Sequence, residues 1–196
     1  STNMVPYQLA SAPTGLAVSL VSGRAALTWT TPTSTGGAAI SQYAIEYSAN
    51  GGATWALAGY STTNSASVGV APKGQTFSYR VMARTAAGLS PYSNIVALAT
   101  ATTVANAVRL NSAVSTGAGN FNLTFSAPTD LGGYTSYNFR VEVFVNNVWT
   151  SVSTGIGSAV NVVGIRTPST NAIYTYRVVA TNPTGDSPAA SFNYRG

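Results

Sequence analysis

Carboxylates are scarce in this 196-residue chain, which has only Glu46, Asp130, Glu142 and Asp186. General acid–base catalysis needs a histidine or two carboxylates at a fixed separation, and a serine nucleophile needs a neighbouring base. Histidine and cysteine are both absent, which excludes disulfides, thiolate nucleophiles and the usual transition-metal ligands. Asp130 and Asp186 lie in turn-forming sequences, but Ca²⁺ requires about six to eight oxygen ligands. We therefore expect no catalysis, no cofactor and no metal site.

The remaining charges are few and dispersed. Charged side chains make up 7 % of the sequence, and nine basic residues against four acids give a net charge of +5. A nucleic-acid interface would gather its basic residues into one patch, and the spacing along this chain does not indicate one. No apolar run reaches the roughly 18 residues of a membrane span. We expect neither nucleic-acid binding nor membrane insertion.

One stretch of the sequence occurs twice. Residues 77–91 read FSYRVMARTAAGLSP and residues 174–188 read YTYRVVATNPTGDSP, with Arg177 following Arg80 by 97 positions. Polar and apolar residues alternate in each copy, as in an antiparallel strand with one buried face. The predicted inward residues of the first copy are Phe77, Tyr79, Val81 and Ala83, and the outward ones are Ser78, Arg80, Met82 and Arg84. The repeat predicts two homologous units of roughly 95 residues in tandem.

Short alternating segments and turn signals fill the rest of each unit. Asn50-Gly51 between two apolar runs is a strong hairpin signal, and residues 31–37 have the composition of a loop. Beta-branched and aromatic residues favour strands over helices throughout. About seven short strands per unit, separated by turns, predict an all-β fold of two antiparallel sandwiches.

The order of aromatic, proline and glycine residues resembles that of fibronectin type III domains. The residues that carry the resemblance in the first unit are Pro13, Trp29, Tyr43, Tyr47, Trp55 and residues 77–91. Those matched in the second unit are Phe125, Pro128, Gly132, Gly133, Tyr137, Val141 and Trp149. The family usually begins the repeated strand with a tyrosine whose hydroxyl bonds to nearby backbone. The second unit has this tyrosine as Tyr174, whereas the first unit has Phe77 in its place. In the first unit the backbone group is therefore expected to find another hydrogen-bond partner.

The resemblance implies two immunoglobulin-like sandwiches of about seven strands each, over residues 12–100 and 101–196. The join at residues 100–103 is short and has no glycine, so we expect a semi-rigid rod rather than freely rotating domains. A strand is predicted to follow near residues 104–110. Residues 1–11 form an N-terminal leader or an edge strand. In the edge-strand alternative Val5, Tyr7 and Leu9 share a face, and the strand pairs within its own domain or with a neighbouring subunit.

The family topology also predicts side-chain contacts. It places the strand of Glu46 beside that of Arg80, and the strand of Glu142 beside that of Arg177, so both are expected to be exposed cross-strand ion pairs. The residues that alternation assigns to the core are Trp29, Tyr43, Tyr47 and Tyr79. Trp55 and Trp149 occupy a position at which the family commonly has an aromatic ring that covers a sheet. The tyrosines left as candidate exposed contact residues are Tyr60, Tyr92 and Tyr134.

These observations favour a non-enzymatic structural or interaction protein. Few charges and many Thr, Ser, Tyr and Asn residues suit a surface that packs against copies of itself in an extracellular, cell-surface, filament or virion assembly, and the resemblance is to the bacterial or viral extracellular type. Two alternatives stay open. The chain is a spacer of a secreted polysaccharide-degrading enzyme, or it is a carbohydrate-binding adhesin module whose exposed tyrosines contact glycan.

Overall fold

Alternating apolar residues and frequent glycine turns place this chain in strands rather than helices. The computed structural model describes residues 6–157, 162–169 and 171–196, and these residues form no helix. No segment among them is therefore a helix that could span a membrane. The chain divides after Ala101 into unit 1 and unit 2.

Unit 1 is a sandwich of two antiparallel sheets. Its described strands are β1 Thr14–Val21, β2 Arg24–Thr30, β3 Gln42–Ser48, β4 Ala56–Ser61, β5 Ser65–Val68, β6 Thr76–Thr85, β7 Gly88–Leu89 and β8 Val96–Ala99. One sheet has the order β1-β2-β5, and the other has the order β4-β3-β6-β7 with β8 also paired to β6. The short β7 folds back onto the end of β6 and is additional to the seven strands expected.

Unit 2 repeats the same arrangement. Its described strands are β9 Arg109–Gly117, β10 Asn120–Ser126, β11 Asn138–Val145, β12 Val148–Gly157, β13 Val162–Arg166, β14 Ile173–Asn182, β15 Gly185–Asp186 and β16 Ala190–Arg195. The sheets are β13-β10-β9 and β12-β11-β14-β15, with β16 paired to β14. The strand predicted near residues 104–110 begins only at Arg109.

Each core is closed by an aromatic pair that joins the two sheets. In unit 1 the rings of Trp29 and Tyr43 are 5.2 Å apart and meet edge to face. In unit 2 the corresponding pair is Phe125 and Phe139, at 4.6 Å. Tyr137 was matched to Tyr43 from the sequence, and that match is wrong, because β11 places Phe139 at this position in the core. For the same reason Val143, not Val141, is the counterpart of Tyr47.

The repeated strands β6 and β14 differ in how they use their tyrosines. The Tyr79 hydroxyl donates to the carbonyl oxygen of Gly69 at 2.9 Å, which supplies the backbone bond that Phe77 cannot make. Its counterpart Tyr176 is fully buried, and its hydroxyl has no hydrogen-bond partner among the described residues. Tyr174, expected to bond to backbone, instead shares a hydrogen bond of 2.8 Å with the Ser169 hydroxyl.

Residues before the first strand of each unit are fixed to a glycine loop. The Gln8 amide donates to the Gly36 carbonyl at 2.9 Å, and the Thr103 amide donates to the Gly132 carbonyl at 3.0 Å. A β-carbon at either glycine would lie 1.9 Å from the carbonyl oxygen of Gln8 or Thr103, so only glycine permits this approach. Residues 6–13 form no strand, yet from Gln8 onward this segment is fixed to its own unit rather than loose.

Candidate interaction surface

The outward side of the five-stranded sheet of unit 1 is built from neighbouring residues on β4, β3 and β6. Ala44 on β3 lies between Tyr60 and Met82 in one cross-strand row. Glu46, two residues further along β3, lies between Leu57 and Arg80 in the next row. Because side chains two residues apart in a strand share a face, these residues form one continuous surface, which we call the outer face of unit 1.

Glu46 and Arg80 form an ion pair at the middle of this face. The Arg80 Nε and Nη2 atoms lie 2.8 and 2.7 Å from the Glu46 Oε2 atom. The predicted contact is therefore confirmed. The expectation that it is exposed is wrong, because neighbouring rings cover the pair and both side chains are largely buried.

Two aromatic rings enclose the Arg80 guanidinium. Its carbon lies 4.0 Å from the centroid of the Trp55 ring and 3.5 Å from that of Tyr92. A cation over an aromatic face is stabilised by the ring quadrupole. The Ser90 and Ser93 hydroxyls on either side of Tyr92 accept from backbone amides of β6, which fixes the segment that carries this ring.

Exposed apolar side chains surround the ion pair. Leu57 is 52 % exposed, Tyr60 is 56 % exposed, and Leu89 on β7 is 45 % exposed. Met82 lies on the outward side of β6 as predicted, but it is buried there rather than exposed. The outer face of unit 1 thus combines a compensated charge pair with several solvent-facing apolar groups and, opposite Leu89, the exposed Arg84.

The corresponding face of unit 2 carries an ionic network instead. The Arg177 Nε atom lies 2.6 Å from one Glu142 oxygen, and the Arg140 Nε atom lies 3.0 Å from the other. Arg140 continues to Asp186, whose oxygens lie 2.6 and 3.3 Å from its Nη atoms. The predicted Glu142–Arg177 contact is confirmed, but Glu142 is buried rather than exposed. Trp149 covers this network, with the Arg177 guanidinium carbon 4.2 Å from its ring centroid.

Arg140 and Asp186 stabilise each other's charged forms in this network. The Arg140 guanidinium holds the pKa of the Asp186 carboxyl below its ordinary value, and the Thr181 hydroxyl also donates to that carboxyl. In turn, the hydrogen bond to Asp186 raises the pKa of Arg140. Asp186 is therefore already paired with Arg140. The described residues contain no group of three or more potential metal ligands.

The two units differ at equivalent positions on otherwise similar sheets. Ala44 and Arg140 both lie one residue after the core aromatic of their strand, opposite the buried Met82 or Val179. Leu89 on β7 corresponds to Asp186 on β15. The positions of Arg140 and Asp186 in unit 2 therefore hold the uncharged Ala44 and Leu89 in unit 1, whereas those of Glu142 and Arg177 keep the charges of Glu46 and Arg80.

The residues predicted to make surface contacts fall into separate groups. Tyr60 and Tyr92 lie on the outer face of unit 1, and the structure brings them to the same side of one sheet. Tyr7 and Leu9 are exposed and precede β1, where the Tyr7 ring lies near Gly37 and the Leu9 side chain lies near Gly88 of β7. Val5 lies outside the described residues.

Tyr134, the third tyrosine predicted to make surface contacts, is half-buried, and its hydroxyl is hydrogen-bonded to the Thr184 hydroxyl at 2.9 Å and to the Thr102 hydroxyl at 3.3 Å. These bonds lower the pKa of Tyr134. Leu57 and Leu89 were not predicted to be surface-contact residues, although Leu57 follows Trp55 by two positions and alternation places both on the same face of the predicted strand.

Comparison with known proteins agrees with this architecture. Residues 11–98 match the family model described as Fibronectin type III domain. A two-domain fibronectin type III segment of chicken tenascin is similar in structure, with a TM-score of 0.53 and 14 % identity over 94 % of this chain and 99 % of that one. At this identity the similarity shows the fold alone. No curated protein sequence matches the chain.

Two other solved structures are similar over part of their length. A structure of the FN1–FN3 domains of chicken CNTN1 has a TM-score of 0.49 and 18 % identity, over 94 % of this chain and 65 % of that chain. A structure of titin domains has a TM-score of 0.46 and 30 % identity, over 48 % of this chain and 33 % of that chain. This chain thus spans less than two thirds of either structure.

The fold defines the class of protein. The chain is an all-β protein made of two tandem fibronectin type III-like sandwiches, and residues 11–98 of the first match that family. Tandem domains of this kind are typically non-catalytic structural or interaction modules. The outer face of unit 1 is accordingly the candidate functional site.

Proposed function

We propose that this protein is a non-enzymatic structural module of an extracellular surface, filament or virion assembly, and that copies of it associate through the outer face of unit 1. The observation that carries the proposal is the contrast between the two units. Unit 2 places Arg140 and Asp186 on this face where unit 1 has Ala44 and Leu89, and unit 1 also presents Leu57 and Tyr60 to solvent. An exposed apolar group that a sister domain replaces with charge, as Asp186 replaces Leu89, is typical of a surface that is covered in an assembly.

A second copy is the occupant that suits the charges of this face. Glu46 and Arg80 neutralise each other within one chain, so two such faces can meet without desolvating an unpaired charge at their centre. A two-fold contact of this kind is isologous, with each copy offering the same patch. Depletion of charge at the core and enrichment in aromatic residues are also typical of protein interfaces.

The short join between the units supports the same role. The Thr100 amide donates to the Gln75 carbonyl of unit 1, and the Thr103 amide donates to the Gly132 carbonyl of unit 2. Few residues thus remain between the anchored ends. The proposal includes the semi-rigid spacing that the sequence predicts. The protein would then act by spacing and by surface contact rather than by chemistry.

Light scattering on the intact chain across a concentration series tests the proposal. We expect the wild-type mass to rise with concentration and negative-stain images to show an ordered oligomer or filament. Leu57→Lys should abolish the rise, because it buries an unpaired charge in the contact. Leu20→Lys is the matched control, since Leu20 is also 52 % exposed but lies on the other sheet. A monodisperse monomer up to high micromolar concentration would contradict the proposal.

A further inference from the structure

A cavity of about 310 Å³ opens in unit 2 where β11 begins and β14 ends. Its lining residues are Ser136, Tyr137, Asn138, Thr181, Asn182 and Pro183. This volume is at the small end of the range of about 300–1,000 Å³ for ligand sites, which suits a ligand of one or two sugar rings. The cavity belongs to unit 2, whereas the outer face described above belongs to unit 1.

One wall of the cavity is held in place by hydrogen bonds. The buried Asn182 side chain donates to the carbonyls of Thr103 and Leu131 at 2.9 and 3.1 Å. Its oxygen accepts from the amides of Thr184 and Gly185. A wall fixed in this way costs little conformational entropy when a ligand binds.

Other polar groups of the lining are available to a ligand. The exposed side chains of Ser136 and Asn138 make no hydrogen bond within the part of the chain that the structure describes. An asparagine amide both donates and accepts, as does a serine hydroxyl, and this matches neighbouring hydroxyl groups on a ligand. Pro183 adds apolar surface, as does the part of the Tyr137 ring that its edge-to-face packing on Phe139 leaves exposed.

The charges beside the cavity are already compensated. Thr181 donates to Asp186 at 2.8 Å, and Asp186 is paired with Arg140, which also contacts Glu142. Neither an anion nor a cation would therefore find an uncompensated partner in this network. The chemistry that remains is hydrogen bonding to neutral hydroxyl groups beside an apolar wall.

From these observations we propose that this cavity is a binding site for a neutral saccharide. Asn138 and Ser136 would bond to sugar hydroxyls, and Tyr137 and Pro183 would contact the apolar face of a ring. The site differs from the one that the exposed tyrosines indicate in the sequence, because the Tyr92 ring already contacts Arg80. It does not depend on self-association.

Unit 1 provides an internal control for this site. There Ser41 stands in the place of Tyr137, and both its amide and its hydroxyl donate to the Arg84 carbonyl at 2.8 and 3.1 Å. Gln42 and Arg84 pair across β3 and β6, as Asn138 and Thr181 pair across β11 and β14. The equivalent place in unit 1 thus lacks the aromatic wall and carries an arginine.

Binding of the intact chain to an array of neutral mono- to tetrasaccharides tests the proposal, followed by calorimetric titration of the best ligand. We expect at least one ligand, whose dissociation constant increases roughly tenfold in Asn138→Ala and in Ser136→Ala, as for a lost hydrogen bond. Gln42→Ala should leave the affinity unchanged within about twofold. Asn138 and Ser136 are exposed, so both variants should keep the wild-type thermal unfolding midpoint.

Three results would overturn the assignment. The first is an array on which no neutral saccharide binds up to millimolar concentration. The second is a ligand whose affinity is the same in wild type, Asn138→Ala and Ser136→Ala. The third is binding that is confined to anionic glycans or to nucleosides, since the compensated charges beside the cavity would then have been interpreted wrongly.

Discussion

The guanidinium carbon of Arg80 lies 3.5 Å from the centroid of the Tyr92 ring. Arg80 lies on β6, and Tyr92 follows the short β7 strand, so this contact joins the loop after the repeated strand to the centre of the sheet. Arg80 is also paired with Glu46 and covered by Trp55. The Tyr92 ring therefore has a structural role in unit 1 in addition to its exposure to solvent.

Loss of the Tyr92 ring should destabilise unit 1. Tyr92→Ala removes one aromatic face from the arginine, and we expect the free energy of unfolding to fall by about 0.5–2 kcal/mol. Tyr60→Ala is the control, because no ring or ion contact of Tyr60 is present among the described residues. Urea denaturation of both variants measures the difference. Equal effects of the two substitutions would contradict a structural role for the Arg80–Tyr92 contact.

Glu142 should matter more for stability than Glu46. Glu142→Gln removes the buried negative charge that pairs with both Arg140 and Arg177, whereas Glu46→Gln removes the partner of Arg80 alone. Breaking a buried ion pair costs about 3–5 kcal/mol, so we expect a loss of roughly that size for Glu142→Gln and a smaller one for Glu46→Gln. Urea unfolding curves of both variants test the order, and a larger loss for Glu46→Gln would show that burial is not the deciding factor.

Equivalent tyrosines should respond in opposite ways when their hydroxyls are removed. Tyr79→Phe leaves the Gly69 carbonyl without its donor and should cost about 1 kcal/mol. Tyr176→Phe removes a buried hydroxyl that has no partner among the described residues, so it should be neutral or stabilising. Thermal unfolding of both variants measures this contrast, which a clear loss of stability in Tyr176→Phe would contradict.

Tyr176 should also make stability depend on alkaline pH. Burial of its hydroxyl, with smaller effects of Tyr174 and Tyr194, raises the pKa of Tyr176 to about 12, above the ordinary value of 10.0. Between these values the unfolded chain ionises and the folded chain does not, so the unfolding free energy falls as pH rises from about 10 to 12. Tyr176→Phe should reduce this fall. A pH profile identical to that of wild type would contradict the assignment.

Gly36 and Gly132 should tolerate no side chain. An alanine β-carbon at either position would lie 1.9 Å from a carbonyl oxygen, and the positive φ angle adds strain of about 1–2 kcal/mol. Gly23→Ala is the control, since φ is also positive there but no atom lies within 4 Å. We expect the two loop variants to lose several times more stability than the control in thermal unfolding. Similar losses in all three would mean that the attachment of residues 8 and 103 is not tight.

The strands could be predicted from the sequence because they depend on local alternation, and the two ion pairs because the family resemblance also implies which strands are neighbours. A period of two places Glu46 and Arg80 on the outward side of their strands, and the resemblance places those strands side by side. The alignment of the units was harder. Matching Tyr137 rather than Phe139 to Tyr43 is a slip of two residues, which keeps every side chain on the same face and leaves the alternation unchanged.

Burial and ionic networks could not be predicted, because they depend on contacts between distant residues. Arg140 reaches Asp186 only because β15 folds back beside β14, and a two-residue strand leaves no periodic signal in the sequence. Similarly, the hydroxyls of Thr102 and Thr184 come near Tyr134 only in the folded unit. The cavity beside Asn138 also becomes visible only when the ends of β11 and β14 are brought together.

A dilution series of the isotope-labelled chain, followed by backbone amide NMR, tests the proposed self-association most directly. The account predicts that amide shifts change with concentration in β3, β4 and β6 of unit 1, around Glu46, Tyr60 and Arg80. The signals of β11 and β14 in unit 2 should stay constant. Shifts that are independent of concentration, or changes confined to unit 2, would contradict the assignment of the outer face of unit 1 as the surface through which copies meet.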